Sequence, residues 1–160
     1  MDDVDHALVG ALVDDARTSY ADLARQVGLS APSVLERVRR LERAGVLLGY
    51  TARVDSAQLG LGVSALVAVH QREDAEQEDL ALDLAAVPEV EDCWSVAGEE
   101  AFVVKVRVAD VDALERTLGV LRRIRSVART RTTVVLSSRF ENRLRVRPDV
   151  APEESDGPST

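Results

Sequence analysis

Hydrophobic residues recur at helical spacing in three successive stretches at the start of the chain. The first stretch begins behind Asp2, a residue that commonly caps helices. The second runs from Ser19, another capping residue, to Gly28, which suits a helix end. The third follows Ser30 and stops at Gly45. The pattern therefore predicts three helices, of which the second and third form a helix-turn-helix.

The third predicted helix has a polar face that is rich in arginine. Its apolar residues share the opposite face and must pack against the second helix. The polar face begins with small residues at a helix N-terminus, where free backbone amides attract phosphate. The alternative is a solvated amphipathic helix whose arginines serve solubility. In the first interpretation, the residues that meet DNA phosphates or base edges are Ser30, Ala31, Ser33, Glu36, Arg37, Arg40 and Arg43.

The segment after this helix, GVLLGYTARVD, contains two β-rich runs behind the helix stop. We interpret it as the wing of a winged helix-turn-helix domain over residues 1–54, in which Arg53 is a further candidate phosphate contact. Residues 55–62, DSAQLGLG, combine two glycines with short polar side chains. This composition predicts an interdomain linker.

From residue 63 onward, strand-like runs alternate with helix-like runs. The order strand, helix, strand, strand, helix, strand predicts a ferredoxin-like βαββαβ domain over residues 63–139, and the fold class is therefore α+β. The tail over residues 148–160 lacks core-forming residues, so we expect it to be disordered. The predicted strands are 63–70, 90–96, 101–108 and 128–138, and the predicted helices are 80–87 and 110–124.

An ordered series of residues runs through most of the first part of the chain: Asp2 to Asp5, Leu8, Leu12, Asp15-Ala16-Arg17, Leu23-Ala24, Val27-Gly28-Leu29-Ser30, Arg37-Val38, Arg40-Leu41-Glu42, Gly45-Val46, Gly49-Tyr50 and Leu59-Gly60. This series resembles that of the Lrp/AsnC (feast/famine) family of transcriptional regulators. The resemblance implies a sequence-specific, DNA-binding regulator with a C-terminal regulatory, amino-acid-metabolism (RAM) domain. It also implies homodimers that form through the sheets and assemble further, commonly to octamers, and that read an imperfect palindrome in double-stranded DNA.

In this family, small effectors, often amino acids, bind near the loop that joins the two middle strands. The family pattern in that loop is Gly-Asp-x-Asp, and here it reads Gly98, Glu99, Glu100, Ala101 and then Phe102. The resemblance makes these five residues the candidate effector site. Ala101 stands where the second aspartate is usual and cannot accept a hydrogen bond from an ammonium group, although Glu99 or Glu100 could replace it. The alternative is a solvated β-turn.

The charges are unevenly distributed along the chain, so the net charge does not describe the predicted DNA-binding segment. The chain carries 20 basic and 28 acidic residues, a net charge of −8, which by itself argues against nucleic-acid binding. Residues 30–53 nevertheless hold five arginines and two glutamates, and attraction to phosphate acts within a Debye length of roughly 10 Å. Residues 54–120 are strongly acidic, with four basic and 15 acidic side chains.

Residues 121–147 form a second basic stretch, with nine arginines and one glutamate. We expect some of these arginines to pair with the acidic middle of the domain. Others are candidates for contact with DNA wrapped around an assembly, namely Arg139, Arg143, Arg145 and Arg147. Trp94, the single tryptophan, is expected at an interface more than in a pocket.

The sequence contains no motif for a cofactor, a metal or catalysis. The chain has one cysteine, Cys93, and its histidines, His6 and His70, lie far apart. Without a secretory signal or an apolar run near 20 residues, we expect a soluble, cytoplasmic and nucleoid-associated protein. Two alternatives stay open. One is a DNA-organising protein without an effector. The other is an enzyme like those relatives of the family that decarboxylate sirohaem-type tetrapyrroles, for which only His70 lies in the second domain.

Overall fold

The computed structural model describes residues 1–146, which fall into two compact units. The first unit contains residues 1–53 together with residues 140–146, and the second contains Val54–Arg139. The predicted disordered tail, residues 148–160, and the candidate DNA contact Arg147 lie outside the described residues. In the part of the chain that is described, no helix is both long and apolar enough to cross a membrane.

The first unit contains the three predicted helices: α1 (Asp3–Asp14), α2 (Tyr20–Val27) and α3 (Ala31–Arg43). The side chains of Asp2, Ser19 and Ser30 each accept a hydrogen bond from a backbone amide in the first turn of the helix that follows. Gly28 ends α2 in the left-handed conformation, with φ of 69°, which glycine adopts without steric cost. The predicted helix-turn-helix is confirmed.

The core of the first unit fixes which face of α3 points outward. Val34 and Val38 of α3 are fully buried against Leu8 of α1 and Leu23 of α2. Each such burial stabilises the fold by roughly 1.5–3 kcal/mol relative to exposure. Because these side chains hold one face of α3 on the core, its arginine-rich face must lie on the surface of this unit.

The predicted wing strands are not formed. In the described chain, no strand lies between Arg43 and Val63, and residues 50–55 have no regular structure. Only Gly49 separates the two β-rich runs, whereas the shortest common hairpin connection has two residues, so the runs cannot pair with each other. The side chain of Leu47 packs on the core, while that of Leu48 is 92% exposed.

The second unit is the predicted ferredoxin-like domain. Its four strands form one antiparallel sheet in the order β2-β3-β1-β4, and both helices cover the same face. This order places the first and third strands in the centre, as the βαββαβ arrangement requires. The elements are β1 (Val63–Gln71), α4 (Gln77–Ala85), β2 (Val90–Ser95), β3 (Phe102–Val108), α5 (Val111–Arg123) and β4 (Val127–Val135).

The helices pack on one face of the sheet and leave the other face uncovered. Phe102, Val104 and Val106 of β3 are buried beneath the helices, and Val103 between them points to the other face. Trp94 lies directly across from Val103 on the neighbouring strand and is 47% exposed. The second face therefore carries an apolar patch around Val103 and Trp94 that is open to solvent in the single chain, and Lys105 follows Val103 on the same face.

Candidate functional site

Most of the predicted DNA-contacting side chains lie on the exposed face of α3. Ser30 and Ser33 are exposed at the start of the helix, where the Ser30 hydroxyl oxygen accepts a hydrogen bond from the Ser33 backbone amide over 3.3 Å. Glu36 and Arg43 lie further along and form an ion pair, with 3.0 Å between Arg43 Nη2 and Glu36 Oε1. Both partners are more than 60% exposed, so this pair can open to admit phosphate at little cost.

The other predicted residues have different surroundings. Ala31 is half-buried against the core and offers only its backbone to a ligand. Arg53 is exposed after the unformed wing and makes no ion pair within residues 1–146. Arg39, which lies at the flank of the predicted face, is exposed and is likewise without an ion pair in the described chain.

Arg37 and Arg40 contact the start of α1 rather than pointing freely into solvent. Arg40 Nη2 donates to both carboxylate oxygens of Asp5, over 2.8 and 2.7 Å. Arg37 Nη1 donates to Asp5 Oδ1 over 2.9 Å and to Asp2 Oδ2 over 2.6 Å. Asp5 is only 2% exposed, whereas its arginine partners remain partly open to solvent.

The electrostatics of this cluster follow from its geometry. The hydrogen bond from Arg37 holds the pKa of Asp2 below its usual value, and the Asp5 backbone amide acts in the same direction. The aspartates Asp2 and Asp5 in turn raise the pKa of Arg37. From the sequence, Asp2 was predicted only as a helix cap, and the contacts of Asp2 and Asp5 with these arginines were missed.

A second candidate site is a cavity of about 430 Å³ in the second unit, beside the loop between β2 and β3. Arg131 Nη2 donates to Glu100 Oε1 over 2.8 Å, and Arg129 Nη2 donates to Glu99 Oε2 over 3.4 Å. The predicted pairing of the C-terminal arginines with acidic residues is thereby confirmed for these two. The lining residues are His70, Glu99, Glu100, Arg129, Thr130 and Arg131.

Two side chains of the cavity, those of His70 and Glu100, have contacts with the backbone. His70, at the end of β1 and 8% exposed, has its Nδ1 atom 3.0 Å from the carbonyl oxygen of Glu99. The pKa of Glu100 lies below its usual value, mainly because its carboxylate accepts a hydrogen bond from its own backbone amide, with Arg131 adding to the effect. Glu100 is therefore an anion at neutral pH.

The structure places only part of the predicted effector loop at this cavity. Glu99 and Glu100 line it, and a Cβ atom on Gly98 would come within 3.2 Å of Glu100 Oε2. The backbone amide of Ala101 donates to the Val69 carbonyl over 3.0 Å, and Phe102 is buried in the core beneath the helices. Because β3 alternates between its two faces, Phe102 does not line this cavity, and its part in effector binding stays a prediction.

Four cavity residues were missed from the sequence: His70 of β1 and Arg129, Thr130 and Arg131 of β4. They come together because β1 and β4 are neighbours in the sheet, with His70 directly opposite Arg129. The basic stretch over residues 121–147 was a signal for these arginines, but only the strand pairing shows which of them reach the loop. Within the described residues, no group of three His, Cys, Asp or Glu side chains is placed to hold a metal ion.

Comparisons with known proteins match both parts of this chain to one family. The profile of the AsnC-type helix-turn-helix domain matches residues 1–42, and that of the Lrp/AsnC ligand binding domain matches residues 63–145. The HTH-type transcriptional regulator LrpA of Mycobacterium tuberculosis is 43% identical over 145 residues, covering 89% of this chain and 95% of that protein. The leucine-responsive regulatory protein of Escherichia coli is 34% identical over 151 residues, covering 92% of each.

A solved structure shows the same architecture. It is the feast or famine regulatory protein from M. tuberculosis complexed with L-methionine, which superimposes with a TM-score of 0.86 at 41% identity. The match covers 91% of this chain and 99% of that one. With two matching domains in the same order and relatives named as transcriptional regulators, the chain belongs to the Lrp/AsnC family of helix-turn-helix transcriptional regulators.

Proposed function

We propose that this regulator binds double-stranded DNA as a homodimer and that α3 reads the major groove of an imperfect palindrome. The observation that supports this most is the exposed polar face of α3, which begins at Ser30 and Ser33 and carries Arg40 and Arg43. In a two-fold symmetric dimer, two such helices enter successive major grooves on one side of the duplex. Its place of action would then be the cytoplasmic nucleoid.

Selection from a random duplex library tests this proposal. The purified protein is incubated with the library at several salt concentrations, and retained duplexes are amplified and sequenced. We expect enrichment of a two-fold symmetric motif whose half-sites lie one helical turn apart, or a multiple of it. Retention without any enriched sequence would contradict specific reading and favour the alternative of a DNA-organising protein.

We further propose that the cavity beside the β2–β3 loop binds an amino acid. A free α-amino acid carries an ammonium and a carboxylate, and the cavity offers Glu99 and Glu100 to the first and Arg129 and Arg131 to the second. The methionine complex of the M. tuberculosis relative supports this ligand class. Glu100 supplies the acceptor that Ala101 lacks, since its carboxylate lines the cavity.

Thermal unfolding with a panel of amino acids tests the ligand class. L-Methionine is the first probe, and a ligand that binds only the folded protein raises the melting temperature with its concentration. N-Acetyl-methionine lacks the ammonium group and methionine methyl ester lacks the carboxylate. Each should therefore raise the melting temperature less than the free amino acid does. A panel without any shift at millimolar concentration would remove the effector proposal but leave the DNA proposal intact.

The homodimer is proposed to form through the open face of the sheet. Trp94 and Leu66 on that face are 47% and 38% exposed in the single chain, and Val103 and Ala68 lie between them in the strand register. An apolar patch of this kind is stabilised when a second copy covers it. Further assembly, commonly to octamers in the family, would build on this dimer.

A further inference from the structure

We infer that Asp5 is a positioning residue for DNA recognition: its buried carboxylate fixes the guanidinium groups of Arg37 and Arg40 on α3, the helix proposed to enter the major groove. This inference rests on the proposed function, because it concerns how α3 reads DNA. It assigns a role to a residue of α1, a helix that the DNA proposal does not otherwise use.

The first step is the placement of the carboxylate. Asp5 lies three residues before Leu8 and seven before Leu12, so it shares the buried stripe of α1. A buried carboxylate is costly unless it is paired and hydrogen-bonded. Asp5 accepts from Arg37, from Arg40 and from the Asp2 backbone amide, so its oxygens are fully used.

The second step concerns the N–H donors of Arg37 and Arg40 that the aspartates leave unused. Arg40 uses only Nη2 and Arg37 uses only Nη1 in these contacts. A guanidinium has five N–H donors in a rigid fork. The Nε and the second Nη atom of each arginine have no acceptor within the described chain, and both side chains are partly exposed. One edge of each fork is therefore anchored, and the other edge remains available to a base or a phosphate.

The third step is the consequence for specificity. Ordering a long side chain on binding costs conformational entropy. Asp5 arranges both arginines before DNA arrives, which favours the one base edge that matches their geometry. Attraction to the phosphate backbone needs no such precision, because it acts on charge alone. Loss of Asp5 should thus reduce discrimination between sequences and not the attraction to DNA in general.

The experiment compares Asp5→Asn with Asp3→Asn in the full-length protein. Asn has nearly the shape of Asp but carries no charge and has one acceptor oxygen instead of two, so it weakens the hold on both arginines without opening a cavity. Asp3 lies in the same first turn of α1, is exposed and makes no ion pair in the described residues, which makes it a matched control for the loss of one negative charge. The probes are a duplex selected by the wild-type protein from a random library and a scrambled duplex of equal length.

We expect Asp5→Asn to lower the affinity ratio between selected and scrambled duplex by about tenfold, with affinity for the scrambled duplex unchanged or higher. Asp3→Asn should keep the wild-type ratio. Partial unfolding lowers both affinities together and leaves the ratio alone, so the ratio separates positioning from stability. In an Arg37→Met, Arg40→Met background, the further change Asp5→Asn should have no effect on the ratio.

The outcomes are distinguishable. Wild-type protein that selects no duplex would overturn the proposed function, and the positioning role with it. Wild-type protein that selects a duplex while Asp5→Asn keeps the full ratio would overturn the positioning role alone. A tenfold loss that persists in the arginine-free background would also overturn it, because Asp5 would then act through other residues.

Discussion

Arg131 extends from β4 to the loop between β2 and β3, where its Nη2 atom donates to Glu100 Oε1 over 2.8 Å. The pair joins two segments that lie 31 residues apart in the sequence and sets opposite charges side by side in one cavity. A zwitterionic ligand can engage both partners at once, because its ammonium replaces the arginine at Glu100 and its carboxylate meets the freed guanidinium.

The first prediction concerns Arg131. Arg131→Gln should weaken the binding of the best amino acid of the panel by roughly tenfold, because a charge-assisted contact to its carboxylate is lost. Isothermal titration of the purified protein measures this change. Arg125→Gln is the control, since Arg125 belongs to the same basic stretch but does not line this cavity. Equal affinities for all three proteins would exclude Arg131 from the ligand site.

The second prediction concerns Arg43, whose ion pair with Glu36 is exposed. Arg43→Ala should weaken DNA binding for selected and scrambled duplexes alike and make the slope of log affinity against log salt less negative by about 1 per subunit. Unfolding free energy should change by less than about 1 kcal/mol, because exposed ion pairs contribute little. Titration of labelled duplex at several salt concentrations measures both affinity and slope.

Arg116→Ala on α5 removes the same charge from the other unit and serves as the control. An unchanged slope for Arg43→Ala would show that this residue does not meet a phosphate.

Features of the fold that depend on neighbouring residues were predictable from the sequence. Helix ends at Ser19, Gly28 and Ser30 were predictable because capping depends on one or two neighbouring residues. The strands of the second unit were also predictable, since alternation as in Val104 and Val106 is local. These local rules set the order of elements and thus the ferredoxin-like fold.

Contacts between segments that are distant in the sequence were harder to predict. Arg129 meets Glu99 only because β1 lies beside β4 in the sheet, a fact of register that no local pattern contains. Asp5 did leave a signal, because a carboxylate in the apolar stripe of α1 requires a cation, yet nothing local indicated that Arg37 and Arg40 supply it. The wing failed as a prediction because β-propensity alone does not provide a pairing partner.

The third prediction is a pH dependence that arises at Tyr50. Its hydroxyl donates to Glu42 Oε1 over 2.9 Å, and partial burial, with this carboxylate adding to the effect, raises the pKa of Tyr50 to about 12. A pKa raised in the folded state stabilises the fold fully below the unfolded value near 10, and this contribution is lost as the pH rises towards about 12.

Phenolate absorbance in a Tyr20→Phe variant measures this titration, because Tyr50 is then the only tyrosine. We expect ionisation well above pH 10, and an earlier ionisation once Glu42→Gln removes the neighbouring charge. Ionisation at the value of an unfolded chain would show that the Tyr50–Glu42 contact is not maintained in solution.

The fourth prediction concerns the open face of the sheet, where Val103 lies between Trp94 on β2 and Ala68 on β1. If the proposed dimer forms through this face, Val103→Asp should convert it to a monomer, because a carboxylate buried in the apolar patch between two copies loses its hydration. Sedimentation equilibrium measures the molar mass. Val111→Asp is the control, since Val111 is 69% exposed on α5, on the side of the sheet that the helices cover.

Monomerisation through Val103 should also weaken the binding of a two-fold symmetric duplex far more than that of a single half-site. A dimer holds its second reader helix at high effective concentration once the first is bound, and a monomer loses this advantage without any change in α3. A Val103→Asp protein that stays folded and dimeric would place the interface elsewhere. A folded monomer with unchanged affinity for the full duplex would instead show that the two reader helices do not act together.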